Sequence, residues 1–191
     1  MKLSLSWIKD YVQIPEDMDL KKLAYDLTMS TVEVEDVEYL ARRFDNMLVG
    51  VIEKIEPHPN ADKLRVCKVD IGGGEIKDIV CGGINLKEGM RVAVSCPGAV
   101  VRWHGEGEPV VIKNSKLRGV ESYGMICASD EIGLGELFPA SQEAEILDLS
   151  AFDVPAGTPL ADALDMNDVL LEIDNKSMTN RPDLWGHYGI T

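Results

Sequence analysis

Apolar and polar positions alternate along this chain with periods that change from one stretch to the next, and the changes predict its elements. Leu3-Ser4-Leu5 reads as a short strand running into a helix that begins near Trp7. After Pro15-Glu16-Asp17, the apolar residues Leu20, Leu23, Ala24 and Leu27 recur at helical spacing, which predicts a second helix capped by Asp17 or Asp19. Between Thr31 and Tyr39, Val32 and Val34 alternate with Glu33 and Glu35, the period of a half-buried strand. So few apolar positions make a meagre core, marginal by itself.

From Leu48 onward short strand-like runs follow one another. Leu48–Glu56 leads into Pro57-His58-Pro59-Asn60, and Leu64–Ile71 carries Cys67, Val69 and Ile71 on one face with Lys68 and Asp70 on the other. Gly72-Gly73-Gly74 turns this run into Ile76–Cys81, a predicted hairpin. Val92, Val94 and Cys96 alternate next, then come Val110–Leu117 and Tyr123–Cys127. Five or more short strands with little helical room between them predict a small closed barrel of the oligonucleotide/oligosaccharide-binding (OB) type. Asp168–Asp174 is a final apolar strand, followed by the loop Asn175–Asn180 and a helix from Leu184 to Thr191, with Pro182 at its start. That helix reaches Thr191 without a C-terminal cap, so the sequence reads as cut rather than finished.

Composition sharpens this picture. The 191 residues carry 19 Lys+Arg against 33 Asp+Glu, a net charge of −14, which excludes a histone-like polybasic binder of nucleic acid. With 45% apolar residues the chain is not intrinsically disordered. Its longest uncharged stretch, Val92 to Val101, is half of what a membrane helix needs, and the apolar run at the N-terminus is broken by charge too early for a signal peptide. The expectation is a cytoplasmic protein with no membrane partner. The acid lies mostly in the flanks, because residues 39–127 hold 13 basic and 11 acidic side chains.

Little in the sequence supports catalysis or metal binding. Cys67, Cys81, Cys96 and Cys127 are too far apart for structural zinc or a redox pair and read as small buried hydrophobes. His58, His104 and His187 have no carboxylate or cysteine at ligand spacing. The glycine clusters lack the Lys-Ser/Thr of a phosphate loop, and no Ser, Cys or Lys stands in a nucleophile motif.

The informative string is Glu56-Pro57-His58-Pro59-Asn60-Ala61-Asp62-Lys63-Leu64-Arg65-Val66-Cys67-Lys68, in which Lys63, Arg65 and Lys68 project from the start of a strand. A second basic cluster, Lys113, Lys116 and Arg118, precedes Gly119-Val120-Glu121-Ser122-Tyr123-Gly124-Met125. Converging on one groove, these cations would meet phosphates while Met125, Tyr123 or Trp103 offered a surface to a base. Equally, basic residues on strand edges can serve only to solubilise a barrel and block edge pairing.

Three ordered segments carry a family resemblance: His58-Pro59-Asn60-Ala61-Asp62-Lys63-Leu64, Ile79-Val80-Cys81-Gly82-Gly83-Ile84-Asn85, and Lys116-Leu117-Arg118-Gly119-Val120-Glu121-Ser122-Tyr123-Gly124-Met125-Ile126-Cys127. They resemble the tRNA-binding domain shared by several synthetases and free-standing relatives, an OB barrel, over residues 39–150. The flanks, with Leu5-Ser6-Trp7-Ile8-Lys9-Asp10-Tyr11-Val12 at one end and Asn180-Arg181-Pro182-Asp183 and Gly186-His187-Tyr188-Gly189-Ile190 at the other, are similar to the start of bacterial phenylalanyl-tRNA synthetase β chains. One departure is the loop Asn175–Asn180, longer than the family's commonest form. The resemblance implies a mostly β, α+β fold, in which the barrel is inserted into a small helix-rich domain built from residues 1–38 and 151–191. It implies a non-catalytic region of an α2β2 ligase that joins phenylalanine to tRNA(Phe) with ATP and Mg2+, neither of them held by this region, and that has the α chain as partner. The expected RNA-binding residues are Lys63, Arg65, Lys68, Asn85, Lys113, Lys116, Arg118, Ser122 and Met125. The alternatives are a barrel that is mainly structural or protein-binding, and a free-standing tRNA-binding protein.

Overall fold

The computed structural model describes residues 1–174 and 176–191. In chain order the strands are β1 (Lys2–Ser4), β2 (Val34–Tyr39), β3 (Met47–Pro57), β4 (Arg65–Asp70), β5 (Ile76–Cys81), β6 (Arg91–Ser95), β7 (Val100–Val101), β8 (Val110–Val111), β9 (Ser115–Leu117), β10 (Val120–Ser122), β11 (Met125–Ile126) and β12 (Val169–Ile173). The α-helices are α1 (Leu5–Ile8), α2 (Leu20–Ser30), α3 (Leu160–Ala163) and α4 (His187–Ile190). Two compact units contain them, Met1–Ala41 with Met166–Thr191 in one and Arg42–Asp165 in the other. Residues 151–165, grouped with the terminal segment in the sequence reading, therefore pack with the barrel. Backbone bonds hold them there: the Val49 N–H donates to the Thr158 carbonyl (2.9 Å) and the Gly157 N–H to the Val49 carbonyl (2.8 Å).

The terminal unit is built on an antiparallel sheet ordered β1-β12-β2, in which Leu171 stands between Leu3 and Val37. Leu3, Leu171 and Ile173 are buried against Ile8, Val32 and Met178. Ser4 caps the single turn of α1 by accepting the Trp7 N–H at 3.2 Å. Asp19, not Asp17, caps α2, accepting the N–H groups of Lys21 and Lys22 at 2.9 and 3.3 Å. Asp168 is the polar hub of this unit. Its carboxylate accepts from the Ser4 hydroxyl, the Ser6 hydroxyl and N–H (both 3.0 Å), and the Val169 N–H (2.7 Å). Burial works against its charge, but these donors hold the Asp168 carboxyl below the ordinary range.

Two elements of this unit differ from expectation. The strand expected from Thr31 begins at Val34. The helix expected from Leu184 to Thr191 is instead a 3₁₀ turn at Pro182–Leu184 followed by α4, because Gly186 between them takes φ 87°, outside the helical region. Of the expected loop Asn175–Asn180, Asn175 lies outside the described residues and Lys176–Met178 form a 3₁₀ turn.

The second unit is a five-stranded antiparallel sheet, ordered β11-β6-β3-β4-β5, curled into a nearly closed OB-like barrel. The first half of β3 pairs with β6, from Met47 opposite Ser95 to Val51 opposite Arg91, and the second half pairs with β4 as far as Pro57 opposite Arg65. A register shift between Ile52 and Lys54 marks the bulge that bends the strand. Across the remaining gap the Tyr123 N–H donates to the Asp78 carbonyl at 2.9 Å, tying the segment after β10 to β5. Ile52, Val69, Ile79, Val92, Val94 and Ile126 fill the interior. The predicted β4–β5 turn is present, with Gly72, Gly73 and Gly74 all at positive φ. The single strand expected at Val110–Leu117 is two: β8 pairs with β7, and β9 with β10. Lys113, Asn114 and Ser115 in its middle are all exposed, so no burial holds the run in one register. No helix among the described residues is long and apolar enough to cross a membrane.

Candidate nucleic-acid interface

The β9–β10 hairpin places Leu117 opposite Val120, leaving a two-residue turn of Arg118 and Gly119 at φ 45° and 98°. Two successive positive φ values define a type I′ turn, whose twist suits a tight hairpin and whose first position rarely holds an arginine. The loop that leaves β3 meets the tip of this hairpin. His58 is buried; its Nδ1 accepts the Asn60 N–H at 3.1 Å, so the proton sits on Nε2, which donates to the Leu117 carbonyl at 3.1 Å. The Asn60 side chain donates to the Arg118 carbonyl at 2.9 Å. The loop is closed beneath by the His58 N–H donating to the Leu64 carbonyl at 3.2 Å. Lys63 and Arg65 on one segment and Lys116 and Arg118 on the other are thus carried by hydrogen-bonded neighbours despite their distance in sequence.

Among the described residues Lys63, Lys113, Lys116 and Arg118 form no ion pair, and all four are exposed. Arg65 folds one guanidinium nitrogen onto the carbonyls of Asp62 and Leu64 (2.9 and 3.0 Å) but stays exposed. Beside this cationic edge lies an open groove of about 860 Å³, lined by Leu64 and Leu117 from the two segments together with Trp103, Val111, Lys113 and Met125. Trp103 is 50% exposed there, an unusual position for a side chain with that much apolar area. Glu131 and His104 also line the groove; burial pushes the Glu131 carboxyl above its ordinary range, against the Ala128 N–H and His104, which pull it down. Unpaired cations beside an apolar, aromatic groove can hold phosphates and stack a base at the same time.

A family model described as "Putative tRNA binding domain" matches residues 47–159, nearly the whole of the barrel unit. The chain belongs to this tRNA-binding domain family. Over its full length it is 40% identical to the phenylalanine–tRNA ligase β subunit of Prochlorococcus marinus, covering 22% of that protein, and 39% identical to that of Oceanobacillus iheyensis, covering 23%. The chain thus spans about a fifth of the length of the curated relatives it matches. Among solved structures, a MetRS-related protein from Pyrococcus horikoshii is 24% identical over 60% of this chain and 87% of its own, with a TM-score of 0.41.

Within the tRNA-binding domain, the residues expected from sequence to meet RNA separate into two groups. Lys63, Arg65, Lys113, Lys116 and Arg118 are exposed on or beside the loop and hairpin, and Met125 lines the groove. The other three are engaged by partners within the protein, Ser122 buried and Lys68 at the surface. Ser122 is 1% exposed, and its hydroxyl accepts the Val80 N–H (3.0 Å) and donates to the Gly124 carbonyl (2.9 Å), which fastens the end of β10 to β5. The Asn85 amide clamps Ile146, donating to its carbonyl and accepting its N–H, both at 2.9 Å. Lys68 pairs with Asp78 at 2.9 Å across the β4–β5 ladder. Tyr123, a candidate base platform, packs instead on the barrel core with the Lys77 ammonium 5.0 Å from its ring centre.

Sequence reasoning weighed His58 as a metal ligand and quoted His58 and Asn60 in a family segment, but gave neither a hydrogen-bonding role toward the hairpin. The signal that could have found them is the pairing of donor-rich His-Pro-Asn with a hairpin whose Arg-Gly turn needs its carbonyls satisfied. Cys67, Cys81 and Cys127 are buried as expected and Cys96 is only half-buried; burial pushes the thiols of Cys67 and Cys127 up to about 12 and that of Cys81 to about 11.

Proposed function

We propose that this chain is the amino-terminal region of a phenylalanine–tRNA ligase β subunit and that its barrel helps hold tRNA(Phe) for the enzyme. The observation that carries the reading is the hydrogen-bonded union of loop and hairpin, which gathers the unpaired Lys63, Lys116 and Arg118 beside the groove of Trp103 and Met125. On this reading the cations, with Lys113 and Arg65, meet backbone phosphates, and Trp103 and Met125 receive an unstacked base. Residues 1–41 and 166–191 form the discontinuous domain into which the barrel is inserted. Binding is weak and salt-sensitive, since phosphate contacts dominate it and the net charge of −14 opposes it. ATP, Mg2+ and the α chain of an α2β2 assembly belong to the whole enzyme; among the described residues no group of three His, Cys, Asp or Glu side chains could hold a metal.

Fluorescence anisotropy of labelled tRNA(Phe) titrated with the 191-residue chain at low salt tests this. Binding that weakens with salt and is lost in the Lys63→Glu/Arg118→Glu double variant is expected. No binding at the lowest salt, or binding indifferent to the reversal, overturns it. The apolar lining of the groove, with Glu131 in its wall, favours one other reading, a seat for another protein segment within the enzyme. Deleting the barrel would then leave tRNA affinity of the assembled enzyme intact and impair assembly.

A further inference from the structure

Arg118 poses a problem that its exposure alone does not answer. A type I′ turn favours Asn or Gly at its first position, because a left-handed backbone costs a residue with a longer side chain steric strain. Here an arginine occupies that place at φ 45°, between the paired Leu117 and Val120. Further bonds to this turn come from outside the hairpin. The Asn60 side chain bonds the carbonyl of Arg118, His58 bonds the carbonyl of Leu117 one residue earlier, and the two donors are locked to each other by the Asn60 N–H on His58 Nδ1. The fit is close on the far side too: a Cβ on Gly119 would stand 3.3 Å from the Asn60 amide nitrogen. Strained backbone that surrounding structure over-determines marks a place where one geometry has been selected.

We infer that His58 and Asn60 are positioning residues for RNA: they latch the Arg118 turn in its left-handed form so that the guanidinium is presented at a fixed place on the cationic edge. This rests on the tRNA-binding reading above. It differs from a generic loop contact because the latch acts through one cation, Arg118, and leaves Lys113, which stands beyond the hairpin, untouched.

The test is a double-mutant cycle on tRNA(Phe) affinity across a salt titration of the 191-residue chain. Asn60→Ala and Arg118→Gln are each expected to weaken binding about three- to tenfold and to flatten the dependence of log Kd on log salt by about one, the loss of a single phosphate contact. The Asn60→Ala/Arg118→Gln double variant should bind no more weakly than Arg118→Gln alone, whereas Asn60→Ala combined with Lys113→Gln should lose the product of the two effects. His58→Gln, which keeps a donor for the Leu117 carbonyl, should retain more affinity than His58→Ala. A role in folding alone would lower the melting temperature without changing the salt slope. Full multiplication of the losses in Asn60→Ala/Arg118→Gln, or an unchanged slope in Asn60→Ala, overturns the latch. If the wild-type chain does not bind tRNA, the functional reading falls, and the heteronuclear NOE of the Arg118 and Gly119 amides still decides the latch: it should drop in Asn60→Ala, and a rigid turn in that variant would refute it.

Discussion

Ser122→Ala separates the two roles that one serine in a nucleic-acid motif can have. The substitution removes a hydroxyl that serves two backbone groups at once, the Val80 N–H and the Gly124 carbonyl, in a place that is 1% exposed. Alanine adds no bulk and keeps the backbone as it is, so the change acts through those two groups alone. Leaving a buried donor without a partner costs roughly 1–3 kcal/mol, and the second lost bond about 1 kcal/mol more. The sum, about 2–4 kcal/mol, is a large share of the roughly 5–15 kcal/mol that holds a domain folded. For a unit of this size it predicts a melting temperature lower by roughly 6–20 °C. Urea unfolding followed by circular dichroism measures it, with an unchanged m-value showing that the same unit unfolds. At a temperature where both proteins are folded, tRNA affinity should be equal. A stability loss under about 0.5 kcal/mol together with weakened tRNA binding would refute this reasoning and return Ser122 to the RNA-binding surface.

Gly124→Ala should also be disruptive, because a Cβ there would run into the Ser95 carbonyl oxygen on the neighbouring strand; a cost of about 1–3 kcal/mol by overpacking is expected from the same melts. Asp168→Asn should weaken the terminal unit at neutral pH, since an amide is a poorer acceptor for four donors. Because the folded Asp168 carboxyl titrates below its ordinary value of 3.8, the stability it contributes is complete above that value and is lost as pH falls through the folded pKa. Wild type and variant should therefore converge in urea melts at acid pH, and a constant difference would contradict the assignment. Alkylation mapped by mass spectrometry at pH 8 should label Cys96 first and leave Cys67, Cys81 and Cys127 unmodified in the native state, as the buried thiols hold their protons.

The parts of the fold that were legible in the sequence are those where burial and turn chemistry agree. Cys67, Val69 and Ile71 alternate into a triple glycine, and the hairpin is there with its turn at positive φ. The Val110–Leu117 run fails for the complementary reason: its pattern is apolar in composition, but exposed Lys113 and Asn114 let two halves pair with different partners. Residues 151–165 join the barrel through backbone bonds to Val49, which no side-chain pattern announces. The candidate site divides in the same way. Charge exposes Lys63, Lys116 and Arg118 as surface groups, whereas Ser122 and Asn85 could not be told from ligand contacts, because a polar side chain in a motif reveals that a hydrogen bond is made and not with whom. His58 and Asn60 lay hidden because their partners are main-chain carbonyls nearly sixty residues away.

The central strand of the terminal sheet is the last to be synthesised. β12 lies between β1 and β2, and its residues Val169–Ile173 leave the ribosome long after both neighbours, with the entire barrel made in the interval. Until then the first 41 residues have two edges with no middle, and their apolar faces wait. During translation the barrel is therefore the earliest structure able to fold to completion, and the polypeptide before it stays open to chaperones or proteases for as long as that takes. Slow codons placed just after the barrel would prolong that window.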